Sequence, residues 1–254
     1  MIVAIIQART GSTRLPGKAL RMLSGKSMLE RELERLKKAT RVDAFIVATT
    51  QKSEDDVIVE IAKRAGFPCF RGSERDVLDR YYHAAKEAGA DTIVRVTGDC
   101  PLHDPEVVDL VVDRFLERGV DYAKTPENYP EGLDTEVFSF AALETAWKEA
   151  KLPSEREHVT PYIRNHPDRF RIDVPWKSGD PDHAHYHWSV DTERDFRFVE
   201  AVYAHFGDAM FHMKDVLALL EERPELLEIN KGGTGYEGLD KSLQEDEEFN
   251  EHHE

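Results

Sequence analysis

The sequence predicts an α/β fold in which a mostly parallel sheet carries helices on both faces and a smaller extension lobe is attached. Two observations favour this fold. Short apolar runs alternate with amphipathic helical patterns as far as about residue 120, and such alternation is typical of βαβ units. The length of 254 residues also suits one domain of this kind with a substantial core.

Strands and helices are expected in alternation from the first residues onward. Apolar runs predict strands at residues 2–6, 45–50, 68–71 and 92–96. Each strand is followed by a predicted helix, namely one after Ser27 that carries Leu29, Leu33 and Leu36, one at 53–65, one at about 73–88 and one from Asp104-Pro105 to just before Gly119. Because parallel sheets bind ligands at the carboxyl ends of their strands, the loops after these strands form the expected ligand edge.

The pattern changes at about residue 121. Loop-rich sequence and a strand-like run at 136–140 predict an extension lobe at about residues 121–188, and a further strand-like run at 186–190 precedes another helix. We therefore predict a single domain at residues 1–229. Residues 230–254 combine clustered glycines with acidic runs and are expected to form a mobile acidic tail.

The composition restricts the partners and the compartment. The formal net charge of −16 argues against nucleic acid, whose phosphate backbone requires a basic protein surface. The two cysteines, Cys69 and Cys100, are too few for a disulfide framework and fit a reducing cytoplasm. Gln7 and Arg9 end the opening apolar run, so neither a signal peptide nor a membrane partner is expected.

The segment after the first strand, residues 7–18, has the composition of a polyphosphate-binding loop. It places the cations Arg9, Arg14 and Lys18 among glycines and hydroxyl groups. The backbone can therefore approach a ligand closely while positive charge surrounds it. The alternative is a surface loop with scattered basic residues.

The spacing of this loop differs from that of the Walker A motif. Five residues separate Gly11 from Gly17, whereas a Walker A loop has four. Ala19 also stands where a Ser or Thr would bind magnesium. A kinase or ATPase of the Walker A type is therefore disfavoured.

Two carboxylates that follow predicted strands suit a magnesium ion. Asp99 lies in Thr97-Gly98-Asp99 at the ligand edge, beside a glycine that permits close approach. Asp191 follows the strand-like run at 186–190. Carboxylate oxygens are ligands that Mg²⁺ prefers. The alternatives are a turn-forming role for Asp99 and a helix cap at Asp191.

These motifs resemble those of a known family. Q-A-R-T-G-S-T-R-L-P-G-K at residues 7–18 resembles the N-terminal signature of the cytidylyltransferase superfamily that makes CMP-activated sugar acids. The nearest branch is the one of the spore coat polysaccharide biosynthesis protein F type, and the resemblance extends through roughly residue 206. It implies a Rossmann-like nucleotidyltransferase fold, CTP and a sugar acid as substrates, Mg²⁺ as cofactor, pyrophosphate release, a role in surface polysaccharide synthesis and a homodimer through the extension lobe.

The resemblance also implies roles for individual residues. A V-D-T segment makes Asp191 the second metal ligand beside Asp99, and Arg14, Lys18 and Asp99 become the candidate catalytic residues. The implied nucleotide-binding residues are Ala8, Arg9, Gly11, Ser12, Thr13, Arg14, Lys18, Arg71, Ser73, Asp79 and Thr97. Thr97 stands where other branches have a glutamine near the base, so another nucleoside triphosphate stays open as an alternative to CTP.

The sugar-acid side is expected in the extension lobe. Two segments that resemble family segments supply the candidates Asp134, Glu136, Arg156 and His158. Arg156 could clamp a substrate carboxylate, and His158 could orient a hydroxyl group. Structural roles in the lobe or in a dimer interface are the alternative.

Two further features have competing interpretations. His183, His185 and His187 would share one face of a strand and could bind a transition metal, but the solvent face of an edge strand shows the same pattern. Cys100 beside Asp99 is expected to be a packed thiol, because phosphoryl transfer between bound partners needs no protein nucleophile.

Two other functions stay open for the chain as a whole. One is a glycosyltransferase that uses a nucleotide-sugar donor, which would release no pyrophosphate. The other is a non-catalytic nucleotide-binding protein with the same fold. Metal-dependent turnover would exclude the non-catalytic nucleotide-binding protein.

Overall fold

The computed structural model describes residues 1–12, 14–232 and 237–251. Its strands are β1 (Ile2–Gln7), β2 (Met22–Leu23), β3 (Lys26–Ser27), β4 (Ala44–Thr50), β5 (Cys69–Gly72), β6 (Thr92–Thr97), β7 (Tyr122–Lys124) and β8 (Glu136–Ser139). Its α-helices are α1 (Met28–Leu36), α2 (Asp56–Ala65), α3 (Val77–Ala88), α4 (Pro105–Arg118), α5 (Phe140–Glu149), α6 (Pro153–His158), α7 (Pro161–Asn165), α8 (Glu193–Phe206), α9 (Met213–Glu222) and α10 (Glu237–Glu251). None of the described helices is both long enough and apolar enough to cross a bilayer.

The main sheet has the strand order β5-β4-β1-β6-β8-β7. Strands β5, β4, β1 and β6 are parallel, whereas β8 is antiparallel to both β6 and β7. The predicted mostly parallel sheet is confirmed. Gln7 at the end of β1 pairs with Thr97 at the end of β6, so the carboxyl ends of these two strands lie side by side.

Alternation along the central strand β1 builds a core on each face of the sheet. Ala4 and Ile6 belong to a buried cluster with side chains of α1, α2, α4, α8 and α9. Val3 and Ile5 belong to a second cluster with side chains of α3 and α5. Successive side chains of a strand point to opposite faces, so one apolar strand supplies both cores. The helices accordingly cover both faces of the sheet.

Helix α1 begins where its sequence predicts. Ser27 accepts a hydrogen bond from the backbone N–H of Glu30, and the Glu30 carboxylate accepts one from the backbone N–H of Ser27. This reciprocal arrangement is a capping box. Leu29, Leu33 and Leu36 are all fully buried, as their helical spacing requires.

Residues 186–190 do not form the expected strand. The backbone N–H of Trp188 donates to the carbonyl of Glu131 at 2.8 Å, whereas that of Val190 donates to the carbonyl of Asp99 at 2.9 Å. The segment therefore bridges two loops, and its ladder pairing is limited to one isolated bridge. The local pattern of residues 186–190 resembles a strand. It does not reveal that the hydrogen-bond partners of this segment are two separate loops.

The region predicted as an extension lobe is continuous with the main sheet. Strand β8 pairs directly with β6, and β7 pairs with β8. The short strand β7 lies in sequence that we expected to be loop. The lobe boundaries at 121–188 and the single domain at 1–229 stay predictions.

The segment 230–254, expected to be a mobile acidic tail, contains helix α10. This helix packs against α6, and its Asp246 is buried and accepts two hydrogen bonds from Ser154. The composition of this segment does not predict the contact, because an acidic run gives no sign that one of its carboxylates accepts hydrogen bonds from a buried serine.

Candidate active site

Asp55 anchors the loop that follows β1. Its buried carboxylate accepts hydrogen bonds from the backbone N–H and the hydroxyl of Thr10 at 2.7 and 2.8 Å. Thr50, the last residue of β4, donates its hydroxyl to the same carboxylate. Burial raises the pKa of Asp55, but these hydrogen bonds outweigh burial and hold the pKa below its usual value. The loop is thereby tied to the carboxyl end of β4.

Two glycines allow the loop and the end of β6 to meet. Gly17 has a φ of 69°, in the left-handed region that other residues rarely adopt, and its N–H donates to the carbonyl of Thr10 at 3.1 Å. At Gly98 a Cβ atom would lie 2.9 Å from the carbonyl oxygen of Gln7. The ends of β1 and β6 are therefore closer than a larger residue would permit, and Asp99 reaches the loop.

Lys18 joins the two carboxylates that the sequence assigned to a metal ion. Its Nζ lies 2.9 Å from Oδ2 of Asp99 and 3.0 Å from Oδ1 of Asp191. The same Nζ donates to the carbonyl oxygen of Val190 at 2.7 Å. Arg14 forms an ion pair with Asp191 at 2.7 Å. The fold thus brings together four predicted residues from three distant segments of the sequence.

The electrostatics of this cluster keep Lys18 and Asp99 charged. Burial lowers the pKa of Lys18, but Asp99 and Asp191 outweigh burial and raise the pKa well above its usual value. Burial likewise raises the pKa of Asp99, and Lys18 outweighs it, so this carboxyl has a lowered pKa. Lys18 is therefore an ammonium group and Asp99 a carboxylate at neutral pH.

The oxygen atoms around Lys18 suit a divalent cation. Carboxylates of Asp99 and Asp191 and the carbonyl of Val190 converge on one position. Mg²⁺ prefers oxygen ligands of this kind, so the residues fit the expected metal. Because Lys18 contacts the same oxygens, an incoming cation competes with its ammonium group.

A cavity of about 490 Å³ opens beside the cluster, within the size range of small-molecule sites. The predicted residues in its lining are Ala8, Arg9, Ser12, Arg14, Lys18, Thr97, Asp99, His158 and Asp191. The candidate Gly11 lies in the loop but not in the lining, and the candidate Thr13 lies outside the described residues. The loop after β1, both carboxylates and one acceptor candidate therefore share one cavity.

Besides Gly11, three described nucleotide-binding candidates lie outside the lining. Arg71 donates to the backbone carbonyls of Thr50 and Lys52 and pairs with Asp56. Ser73 accepts from the backbone just before α3, and Asp79 accepts from the indole of Trp147 at 2.9 Å. In the structure these side chains support loops and helix packing.

Glu136, an acceptor candidate, lies in a partly buried polar network. Its carboxylate accepts hydrogen bonds from Arg95, Tyr122 and Thr160. Burial raises the pKa of Glu136, but Arg95 outweighs burial and the pKa is lowered. With its oxygen atoms engaged by protein donors, Glu136 links β8 to β6, β7 and the start of α7.

The other three acceptor candidates differ in their surroundings. Asp134 is exposed and accepts from the backbone N–H of Gly132 at 3.0 Å. Arg156 donates to the carboxylate of Asp76 and to a backbone carbonyl of α5. Of the four candidates, His158 is the one in the described lining.

The cavity also contains residues that the sequence interpretation missed. They are Gln7, Ala19, Glu74, Val77, Arg80, Gly98 and Glu157. Arg80 is 2% exposed and donates to the carbonyl of Ser73 at 2.6 Å, and burial lowers its pKa. Its position on the otherwise apolar face of α3 was the available signal, since arginine is seldom buried without a function or a partner.

The three alternating histidines do not share a face. His183 and His185 each lie against the ring of Tyr186. His187 is buried, with Nδ1 2.5 Å from Glu131 and Nε2 3.6 Å from Asp195. The arrangement gives an imidazolium between two carboxylates and brings together no three-histidine metal site in the described part of the chain.

Comparison with known proteins decides the family. A family model described as cytidylyltransferase matches residues 3–231. The chain belongs to the cytidylyltransferase family. This membership confirms the family and the nucleotidyltransferase fold expected from the sequence, and it makes the protein a nucleotidyltransferase enzyme.

Individual cytidylyltransferase relatives agree with this assignment. The spore coat polysaccharide biosynthesis protein SpsF of Bacillus subtilis is 34% identical over 88% of this chain and 95% of that protein. A 3-deoxy-manno-octulosonate cytidylyltransferase of Trichlorobacter lovleyi is 41% identical over 45% of each chain. The solved structure of a cytidylyltransferase from Leptospira borgpetersenii superimposes with a TM-score of 0.84 at 34% identity, over 92% of this chain and 98% of that one.

Proposed function

We propose that this enzyme transfers CMP from CTP to a sugar acid and releases pyrophosphate, for the synthesis of a surface polysaccharide. The observation that carries the proposal is the contact of Lys18 with Asp99 and Asp191 at the carboxyl ends of the central strands. Family membership supports the cytidylyl transfer. The 3-deoxy-manno-octulosonate cytidylyltransferase and SpsF relatives support a sugar acid and polysaccharide synthesis.

Asp99 and Asp191 are the proposed ligands of Mg²⁺. When bound, the cation neutralises charge on the phosphate groups and polarises the reacting one. The support is the convergence of carboxylate and carbonyl oxygens at Lys18. Lys18 then exchanges carboxylate partners for phosphate oxygens, which its three donors suit equally well.

The loop after β1 holds the triphosphate. Arg9, Arg14 and Lys18 neutralise the β- and γ-phosphates, and Ser12 together with the loop backbone supplies hydrogen-bond donors. Thr97, in the same cavity, lies beside the nucleoside. Asp55 holds the loop in the conformation that binds the triphosphate, so the loop reorganises little when the nucleotide binds.

The acceptor enters on the side of Glu157 and His158, which line the same cavity. Its hydroxyl attacks the α-phosphorus, the bond from that phosphorus to the leaving oxygen breaks, and pyrophosphate departs as the hydroxyl proton is lost to water. The protein contributes positioning and charge neutralisation rather than a covalent intermediate. His158 orients the acceptor.

Pyrophosphate release is the test of this function. CTP is incubated with 3-deoxy-manno-octulosonate or with N-acetylneuraminate, in MgCl₂ and in EDTA, and UTP, ATP and GTP replace CTP in parallel. We expect release with CTP, a sugar acid and Mg²⁺ together. Pyrophosphate release with another nucleotide would show that the donor substrate is not CTP. Sugar transfer from a nucleotide-sugar without pyrophosphate release would identify a glycosyltransferase instead.

Asp99→Asn probes the site within this assay. Removing one charge of the metal ligand pair should lower turnover at least about 100-fold, as expected for loss of an electrostatic group at the reacting phosphate. Asp168→Asn is the matched control, since Asp168 is exposed on the surface. Equal activity of the two variants would remove Asp99 from the mechanism.

A cytoplasmic location and a homodimer are further parts of the proposal. Both cysteines are free thiols, which fits a reducing compartment. Sedimentation of the purified chain measures the dimer, and a monomer at micromolar concentration would argue against it.

A further inference from the structure

A buried pair, Asp246 and Ser154, helps to hold helix α10 against α6. Oδ1 of Asp246 accepts the backbone N–H of Ser154 at 2.8 Å, and Oδ2 accepts the hydroxyl of Ser154 at 2.5 Å. Both residues are less than 9% exposed. A carboxylate that accepts from two buried donors fixes the position of its helix, because either donor would be costly to leave unpaired.

Ser242 lies four residues before Asp246 and therefore on the same face of α10. It is 1% exposed. Its hydroxyl donates to Oε2 of Glu157 at 2.9 Å and lies 3.0 Å from Nε2 of His158. Glu157 and His158 both line the cavity that contains Lys18, Asp99 and Asp191. The C-terminal helix therefore reaches the active-site cavity through one hydroxyl group.

The hydrogen-bond donors in this chain of contacts determine where the proton of His158 lies. A serine hydroxyl has a single proton, and Ser242 donates it to Glu157. The bond between Ser242 and His158 then requires a proton on Nε2. Burial lowers the pKa of His158, so the ring is neutral and carries that one proton. Nδ1 is left as a hydrogen-bond acceptor.

The backbone next to His158 is strained. Val159 has a φ of 71° and is fully buried, although a β-branched residue rarely adopts this conformation. Such conformations are unfavourable for a residue with a side chain and are found where a site is held in one geometry. Thr160, next in sequence, is fixed by its hydrogen bond to Glu136 at 2.7 Å. His158 is thus constrained from its own backbone as well as from α10.

We infer that Ser242 is a positioning residue for the acceptor: it holds Glu157 in place and keeps His158 as the Nε2–H tautomer, so that Nδ1 accepts a hydrogen bond from a hydroxyl of the sugar acid. This inference rests on the proposed function. Helix α10 lies beyond residues 3–231, which match the family model. It therefore adds a contact to the acceptor side that the matched family segment does not contain.

The experiment compares three variants of the full chain. Ser242→Ala removes the hydroxyl, Ser242→Thr retains it, and Gln244→Ala is the control at an exposed position of the same helix. The first readout is the ¹⁵N NMR signature of the His158 tautomer, which needs no substrate. The second is the pair of KM values for CTP and for 3-deoxy-manno-octulosonate or N-acetylneuraminate, whichever the wild type uses, measured by pyrophosphate release.

Ser242→Ala should convert His158 from one tautomer into a mixture and raise the KM for the sugar acid about five- to tenfold. The KM for CTP should change less than twofold, and Ser242→Thr should restore both readouts. An unchanged tautomer, or equal rises in both KM values, would overturn the inference. If wild type releases no pyrophosphate with any sugar acid, the proposed function fails, while the tautomer result still decides whether Ser242 positions His158.

Discussion

The Nζ of Lys18 lies 2.9 Å from Oδ2 of Asp99, although 81 positions separate the two residues in sequence. One belongs to the loop after β1 and the other follows β6. The contact exists because these strands are neighbours and Gly98 permits their ends to approach. It places the ammonium group of Lys18 among the oxygens that suit a metal ion. The positive charge of Lys18 thereby compensates negative charge of the carboxylates.

Lys18→Ala should lower turnover at least about 100-fold, because the triphosphate loses a cation at the reacting end. It should also bind Mn²⁺ more tightly than wild type in the absence of nucleotide, since Asp99 and Asp191 lose their competing ammonium group. Electron paramagnetic resonance titration of Mn²⁺ measures this affinity.

Lys63→Ala is the matched control for Lys18→Ala, because Lys63 is exposed on α2. It should match wild type in both measurements. Weaker Mn²⁺ binding by Lys18→Ala than by wild type would show that the ammonium group and the cation do not share the carboxylates.

Asp55→Ala should loosen the loop after β1. Three donors from Thr10 and Thr50 lose their acceptor, so we expect unfolding free energy to fall by about 2–3 kcal/mol and the KM for CTP to rise about tenfold. Urea unfolding and steady-state kinetics measure the two effects. Asp168→Ala serves as control, and an unchanged KM for CTP would mean that the loop keeps its conformation without this anchor.

His187 should make stability depend on pH. Burial lowers its pKa, but hydrogen bonds and charges of Glu131 and Asp195 outweigh burial and raise the pKa to about 10, against about 6.5 in an unfolded chain. Its contribution is therefore complete below about pH 6.5 and is lost as the pH rises toward 10. Thermal unfolding between pH 6 and 10 measures this loss.

His187→Gln should lower the unfolding free energy at pH 6 by about 3 kcal/mol, because two carboxylates lose their charged partner. The difference from wild type should shrink as the pH approaches 10. His185→Gln, at an exposed position, should follow the wild-type profile. A difference that stays constant with pH would contradict a charged His187.

Glu136→Gln should destabilise the protein without affecting the acceptor. Its charge pairs with the partly buried Arg95, so breaking the pair should cost up to about 3 kcal/mol. The KM for the sugar acid should stay within twofold of wild type. Glu60→Gln, at an exposed position of α2, controls for the loss of an acidic charge. A rise in the KM for the sugar acid alone would show that Glu136 binds the acceptor.

The parts of the site that sequence could predict are those encoded locally. The loop from Arg9 to Lys18 carries its charges and glycines within one short segment, and Asp99 directly follows a strand whose apolar pattern is clear. The parallel sheet followed from the same regular alternation. Such features depend on nearest neighbours in sequence, so they are visible without a structure.

The parts that sequence could not predict depend on contacts between distant segments. Asp55 resembles any acidic residue at a helix start until its three donors are known. Arg71 and Arg156 resemble ligand-binding arginines, yet each has protein partners. Ser242 lies in an acidic, low-complexity segment, and its place beside His158 follows from the docking of α10, which no local pattern specifies.

The most direct test of the central claim is the thermal stability of the protein with CTP, UTP, ATP and GTP, each with and without MgCl₂. A ligand at one hundred times its dissociation constant adds about 2.7 kcal/mol to the unfolding free energy. The account predicts a shift of this order with CTP and Mg²⁺ together, and a smaller one with the other nucleotides or without the metal. The absence of any shift with CTP and Mg²⁺, or an equal shift with all four nucleotides, would contradict it.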